Sequence, residues 1–191
     1  MLKISTVLIA CFFLLLPCTQ AETILCVGIN EYANYPDLEH AENDAREMGE
    51  LLKSRGHDVT VLTGKEVTTR NLEAALGDNP AFVYFAGHGR KDRLVVWDGI
   101  LPLADMRGAE AMILLDCCYI GSSLKSSGST KILAAAEYEA FESDGHGLFT
   151  KYLLNWLRDG KDLNERALKT YLEKNIAKET GGWQKPVLGY I

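Results

Sequence analysis

The chain has 191 residues, 47% of them hydrophobic and 24% charged, with a formal net charge of −6. Proportions this close to the globular average exclude a disordered, collagen-like or polytopic membrane protein and leave one domain of ordinary size as the expectation. Acidic side chains outnumber basic ones, 26 to 20, and no run of Lys and Arg supplies the footprint that a phosphate backbone requires, so nucleic acid is not an expected partner.

At the N-terminus, Lys3, the unbroken apolar run Val7 to Leu16, Pro17 and the small-residue stretch ending at Ala21 follow the layout of a secretory signal peptide. The run is shorter than the about 20 apolar residues that a membrane-spanning helix needs, so no stable span is expected once the signal is removed. Residues 1–21 are therefore assigned to a cleaved signal and 22–191 to one folded domain, with a periplasmic or secreted location. Lipidation at Cys18 is the lesser alternative, because Pro17 is a poor fit to the small residue expected before it. Of the five cysteines, removal of the signal leaves Cys26, Cys117 and Cys118. An odd count with two adjacent members does not make a disulfide framework. Such thiols are either buried small hydrophobes or include one reactive cysteine.

Thr23 to Ile29 is a β-branched apolar run and reads as a buried strand, followed by an Asn/Tyr/Pro loop up to Pro36. Ala41, Ala45, Met48, Leu51 and Leu52 recur at helical spacing until Gly56. His57 to Leu62 reads as a strand, Thr69 to Leu76 as a short helix, and Ala81 to Ala86 as a fully apolar strand. Arg93 to Trp97 and Ile100 to Leu103 flank Asp98-Gly99 and read as a hairpin. Ala111 to Leu115 is the next buried strand, and Lys125 to Lys131 reads as a polar, mobile loop. Leu148 to Leu157 and Ala167 to Ile176 carry helical periodicity, and Pro186 to Leu188 adds a final strand. The β/α alternation predicts a mostly parallel central sheet with helices on both faces.

Reacting groups gather where parallel strands end. One strand ends in Ala86-Gly87-His88-Gly89, and another in Asp116-Cys117-Cys118-Tyr119-Ile120-Gly121. Neighbouring parallel strands would put an imidazole and a thiol on one sheet edge, where His88 could take the proton of a cysteine nucleophile. The glycines beside His88 allow close backbone approach, and the N–H groups of Gly89 and of the nucleophile itself are the candidate oxyanion donors. A glycine-rich loop with a surface His is the plain alternative.

Together these motifs resemble the caspase-like cysteine peptidases of the metacaspase and paracaspase type, from about Thr23 to Tyr190. The resemblance rests on Gly28-Ile29-Asn30-Glu31-Tyr32, Asn43-Asp44-Ala45, Gly87-His88-Gly89, Asp116-Cys117-Cys118 and Gly147-Leu148-Phe149-Thr150, in that order. It implies a three-layer caspase-like sandwich, His88 and Cys118 as a catalytic dyad, and a protein or peptide substrate. It further implies Asp44 and Asp116 as acids that hold a P1 Arg or Lys side chain, with Ala86 lining that pocket where many metacaspases have Ser. Ile120 replaces the usual Ser or Gly of the cysteine motif. The loop holding Lys125 and Lys131 lies where caspase relatives are cut. Asp92, Asp98 and Asp105 are too scattered to match the family's calcium cluster, so neither metal nor cofactor is expected.

A carboxylate pair in a partly desolvated pocket favours a guanidinium over an anion. Otherwise Asp44 serves the first turn of its helix and Asp116 caps a turn. His146 precedes a helix and follows no apolar strand, so it reads as a loop residue rather than a base. His40 and His57 read as helix-flank or surface residues. The alternative function is a catalytically weak or inactive caspase-like binding module. A metal or redox site at Cys117, Cys118 and His88 lacks the usual two-residue cysteine spacing. The exit of the first strand matches neither the dinucleotide fingerprint nor a P-loop.

Overall fold

The computed structural model describes residues 22–106 and 112–191. The assigned signal segment, Cys18 and Ala111 therefore lie outside the described residues. A six-stranded sheet forms the centre. Its members in chain order are β1 (Thr23–Gly28), β2 (Asp58–Thr63), β3 (Phe82–Ala86), β7 (Met112–Asp116), β8 (Lys131–Ala134) and β11 (Val187–Tyr190). In space they run β11-β8-β7-β3-β1-β2, all parallel except β11, which is antiparallel to β8.

Alternating side chains serve two cores, as a sheet covered on both faces requires. Leu25, Val27, Val83, Phe85, Ile113 and Leu115 enter one core, which also takes Leu72 of α2 (Thr69–Gly77). Cys26, Tyr84 and Leu114 enter the other, beneath α1 (Ala41–Ser54), α3 (Leu148–Arg158) and α4 (Glu165–Thr180). Helices thus cover both faces, and the face holding α2 is completed by a small antiparallel sheet of β4 (Gly89–Arg90), β5 (Arg93–Val96) and β6 (Gly99–Pro102). A last short hairpin pairs β9 (Glu142–Ser143) with β10 (His146–Gly147) just before α3. Among the described residues no helix is long and apolar enough to cross a membrane.

Two expectations change. The hairpin turn is Trp97-Asp98 rather than Asp98-Gly99, because Gly99 pairs with Val96. Asp98 turns away to accept from the N–H of Thr69 at 2.8 Å, at the start of α2. The segment read as a mobile loop is tied down: Lys125 exchanges backbone hydrogen bonds with Tyr190, and Ser129 and Thr130 both donate to Ile191 O. Its last residue, Lys131, already belongs to β8 and bonds Glu165 at 2.7 Å. Polar composition identified a connection but could not register these long-range backbone partners. A cut after Lys131 would have to open β8.

Candidate active site

β1 leads to β2 on one side and the chain then returns to β3 on the other, so the sheet order reverses next to β1. Crevices form at such points, outside the carboxyl ends of the strands. Register places Ala86 opposite Asp116 at the ends of β3 and β7, and α1 brings Asp44 over the same edge. His88 and Cys118 follow directly after these strands and line the wall shared by two cavities.

The imidazole of His88 is held by Pro36 and by the Tyr32 ring. Its Nε2 lies 2.8 Å from the carbonyl of Pro36. A carbonyl only accepts, so Nε2 carries the hydrogen and the neutral ring keeps its lone pair on Nδ1. Tyr32 packs against the ring with centroids 4.8 Å apart. The Tyr32 hydroxyl also accepts from the His88 N–H at 2.8 Å and donates to Ile29 O. The Gly-Ile-Asn-x-Tyr motif, noted in the sequence only as a marker, thus supports the candidate base.

Cys118 is half-buried, and its Sγ accepts from the Ala140 N–H at 3.3 Å. Burial pushes its thiol pKa up, and the carboxylates of Asp116, Glu139 and Glu142 add to the rise against the Ala140 hydrogen bond. The resting group is accordingly a thiol, whose proton must leave as it attacks. Cys117 points into the core below, and Cys26 is fully buried within β1. Tyr119, directly after Cys118, takes a left-handed φ of 62° that a non-glycine residue seldom adopts. Its N–H donates to Tyr138 O, which fixes the turn carrying the thiol.

Gly89 touches this turn. A Cβ there would lie 2.5 Å from Cys118 O and 2.9 Å from Cys117 Sγ, so only glycine lets β4 approach so closely. Gly89 pairs with Leu94 while the Val95 N–H donates to His88 O. That pattern makes Gly89 a non-hydrogen-bonded ladder position, with its N–H directed away from β5.

The smaller cavity, about 360 Å³, is lined by Asp44, Ala86, Asp116, His88, Cys118 and Glu142 among others. Asp44 and Asp116 are only 1% and 8% exposed. Asp44 Oδ1 accepts from His146 Nδ1 at 2.5 Å and Oδ2 from the Gly147 N–H at 2.9 Å. Asp116 Oδ2 accepts from the Thr150 N–H at 3.0 Å and its hydroxyl at 2.6 Å. Burial raises both pKa values, that of Asp116 to about 7, where the neighbouring charge of Asp44 contributes as well. Two acids sharing a small desolvated space favour an incoming cation. Both acids accept from N–H groups at the start of α3 (Leu148–Arg158), Asp44 from Gly147 and Asp116 from Thr150.

The larger cavity, about 960 Å³, opens on the other side of His88 and Cys118. Tyr35, Tyr119, Tyr138 and Phe141 give it aromatic walls, and Arg90 and Lys91 add basic groups. Tyr119, Tyr138 and Phe141 are 43%, 61% and 41% exposed. Glu139 lines this cavity too, so it carries mixed charge where the small one is acidic.

All the residues singled out in the sequence, His88, Gly89, Cys118, Asp44, Asp116 and Ala86, meet at these two cavities. His146 is different from expectation: it opens β10 and bonds Asp44 rather than lying free in a loop. Glu142, Gly147 and Thr150 were also not assigned to the pocket. The Gly-x-Phe-Thr pattern was a usable signal for the last two, but its contact with Asp116 spans 34 positions. Among the described residues no group of three or more His, Cys, Asp or Glu side chains is arranged to hold a metal ion.

A family model described as the caspase domain, peptidase family C14, matches residues 22–189. No curated protein matches the chain.

Proposed function

The chain belongs to the caspase-domain family of cysteine peptidases, and on that premise we propose that it is an endopeptidase using Cys118 and His88 to cleave after Arg or Lys. The observation that carries the reading is the shared wall: the candidate thiol and imidazole line the cavity floored by Asp44 and Asp116. A long basic side chain in that cavity sets its own carbonyl beside Cys118.

In the reaction, Cys118 Sγ attacks the P1 carbonyl carbon as its proton passes to His88 Nδ1. The bond from Nε2 to Pro36 O stabilises the resulting imidazolium. The N–H groups of Gly89 and Cys118 stabilise the oxyanion. Collapse expels the amine, which takes the proton from His88 and leaves a thioester. Water then attacks that thioester with His88 again as base, releasing the acid and the thiol. The P1 cation has a second effect, since it neutralises Asp116 and Glu142, two of the charges that hold the Cys118 proton in place.

The signal-like residues 1–21 support an exported enzyme, periplasmic or secreted, acting as the domain from Glu22 onward. The test is an assay of the purified domain on matched peptides with P1 Arg, Lys or Asp. Arg and Lys peptides are expected to turn over, the Asp peptide not, and Cys118→Ala to lower kcat/KM about 1,000-fold or more. Absence of turnover on every peptide, with Cys118 inert to a thiol-directed inhibitor, would instead leave a caspase-like binding module.

A further inference from the structure

The segment from His146 to Thr150 holds both pocket acids at once. Gly147 donates to Asp44 and lies so close to Asp116 that a Cβ would stand 2.2 Å from its Oδ2, while Thr150 secures that same oxygen twice. His146 is the member of the segment that can carry charge. Among the described residues it is the only cation-capable side chain in an ion pair with either acid. Its Nδ1 is 2.5 Å from Asp44 Oδ1, and its Nε2 faces Glu47 at 3.5 Å. Glu47 in turn pairs with Arg158 of α3.

We propose that His146 is a positioning residue, which aims and holds the Asp44 carboxylate for the basic P1 side chain. The inference rests on the reading that this pocket receives such a side chain. It follows from acceptor geometry. Asp44 has both oxygens engaged by the β10 strand, so its orientation is set before substrate arrives, whereas Asp116 has one oxygen engaged and the other free to meet the ligand. Removing the imidazole would leave Asp44 with a single backbone donor in a buried setting, where a carboxyl group takes up a proton more readily. The protonated acid neither attracts a guanidinium nor keeps its aim.

The charged groups around His146 are Asp44 and Glu47 from α1, Arg158 from α3, and Asp144 in the β9–β10 turn, itself bound by Lys151. His40, at the start of α1, also acts on Asp44. In His146→Ala these neighbours stay in place, so a change reports the imidazole.

The experiment compares wild type, His146→Ala and His146→Asn. In His146→Ala, KM for the P1 Arg peptide is expected to rise about 10-fold or more while kcat changes about threefold or less. The acid limb of kcat/KM should move to higher pH. His146→Asn places an amide N–H near the former Nδ1 and should recover most of the KM. The carboxyl ¹³C signal of Asp44, titrated in all three proteins, should have a higher midpoint in His146→Ala than in the other two. A merely structural role would lower thermal stability without moving the acid limb or that midpoint. Unmoved KM and midpoint in folded His146→Ala, or equal losses in the Ala and Asn variants, would overturn the proposal. If wild type cleaves no peptide, the peptidase reading fails by itself, and the Asp44 titration still decides for or against His146.

Discussion

The two cavities that meet at His88 and Cys118 are built on opposite principles. The small one is floored by Asp44 and Asp116, held by helix and strand ends, with backbone N–H groups fixing their oxygens. The large one is walled by Tyr119, Tyr138 and Phe141, partly exposed and carried on connecting segments. Buried charge discriminates strongly, because an unpaired or mismatched group in a desolvated site is heavily penalised. Exposed aromatic walls add contact area with little selection. The small cavity should therefore decide what is cleaved, and the large one how firmly the rest of a peptide is held.

The largest expected break in that contrast comes from Asp116→Asn. It should lower kcat/KM for the P1 Arg peptide about 100-fold or more, by analogy with truncating one side of a buried charge pair. The same substitution should stabilise the fold at pH 8. Asp116 has its pKa raised by burial to about 7 from an ordinary value of 3.8, so the folded state holds the proton more tightly than the unfolded one. Its contribution to stability is then fully present below about pH 4 and lost as pH rises through about 7. Thermal unfolding of wild type and variant at pH 5 and pH 8 checks this: the gap in Tm should be larger at pH 8.

A smaller effect is the pH profile of the wild type. Protonation of Asp116 removes half of the acid pair, so KM for a P1 Arg peptide should rise as pH falls below about 7. Steady-state kinetics between pH 5 and 8 measure it. A flat KM would mean that Asp116 does not meet the P1 side chain. The smallest effect belongs to the large cavity. Tyr138→Ala should reduce kcat/KM about 3- to 10-fold for an extended peptide and alter the ratio of Arg to Lys cleavage little, consistent with losing one exposed aromatic contact. A selective loss for one P1 residue would show that this wall contributes to specificity after all.

Much of this arrangement was readable from local pattern. β3 is apolar at every position, and a strand buried on both faces must be. The candidate base and nucleophile stood out because each follows such a strand directly. β8 was not readable, because Lys131 looks like the end of a polar loop and its strand character comes from pairing with β7 and β11. The same is true of β4, which is two residues long and exists only through its contact with β5.

What the sequence by itself determined is the helices, most of the central strands, their order, and the two strand exits that carry His88 and Cys118. Periodicity and turn chemistry are local, so they survive without knowledge of the fold. What only the tertiary structure decided is how the acids are held. Asp44 and His146 are 102 positions apart, and nothing near either one signals the other. The Pro36 carbonyl that orients His88 is a backbone group, invisible to any side-chain motif. Both contacts arise because the loop before α1, α1 itself, the exit of β3 and the β10–α3 junction converge on the same end of the central sheet, where partners distant in sequence become neighbours.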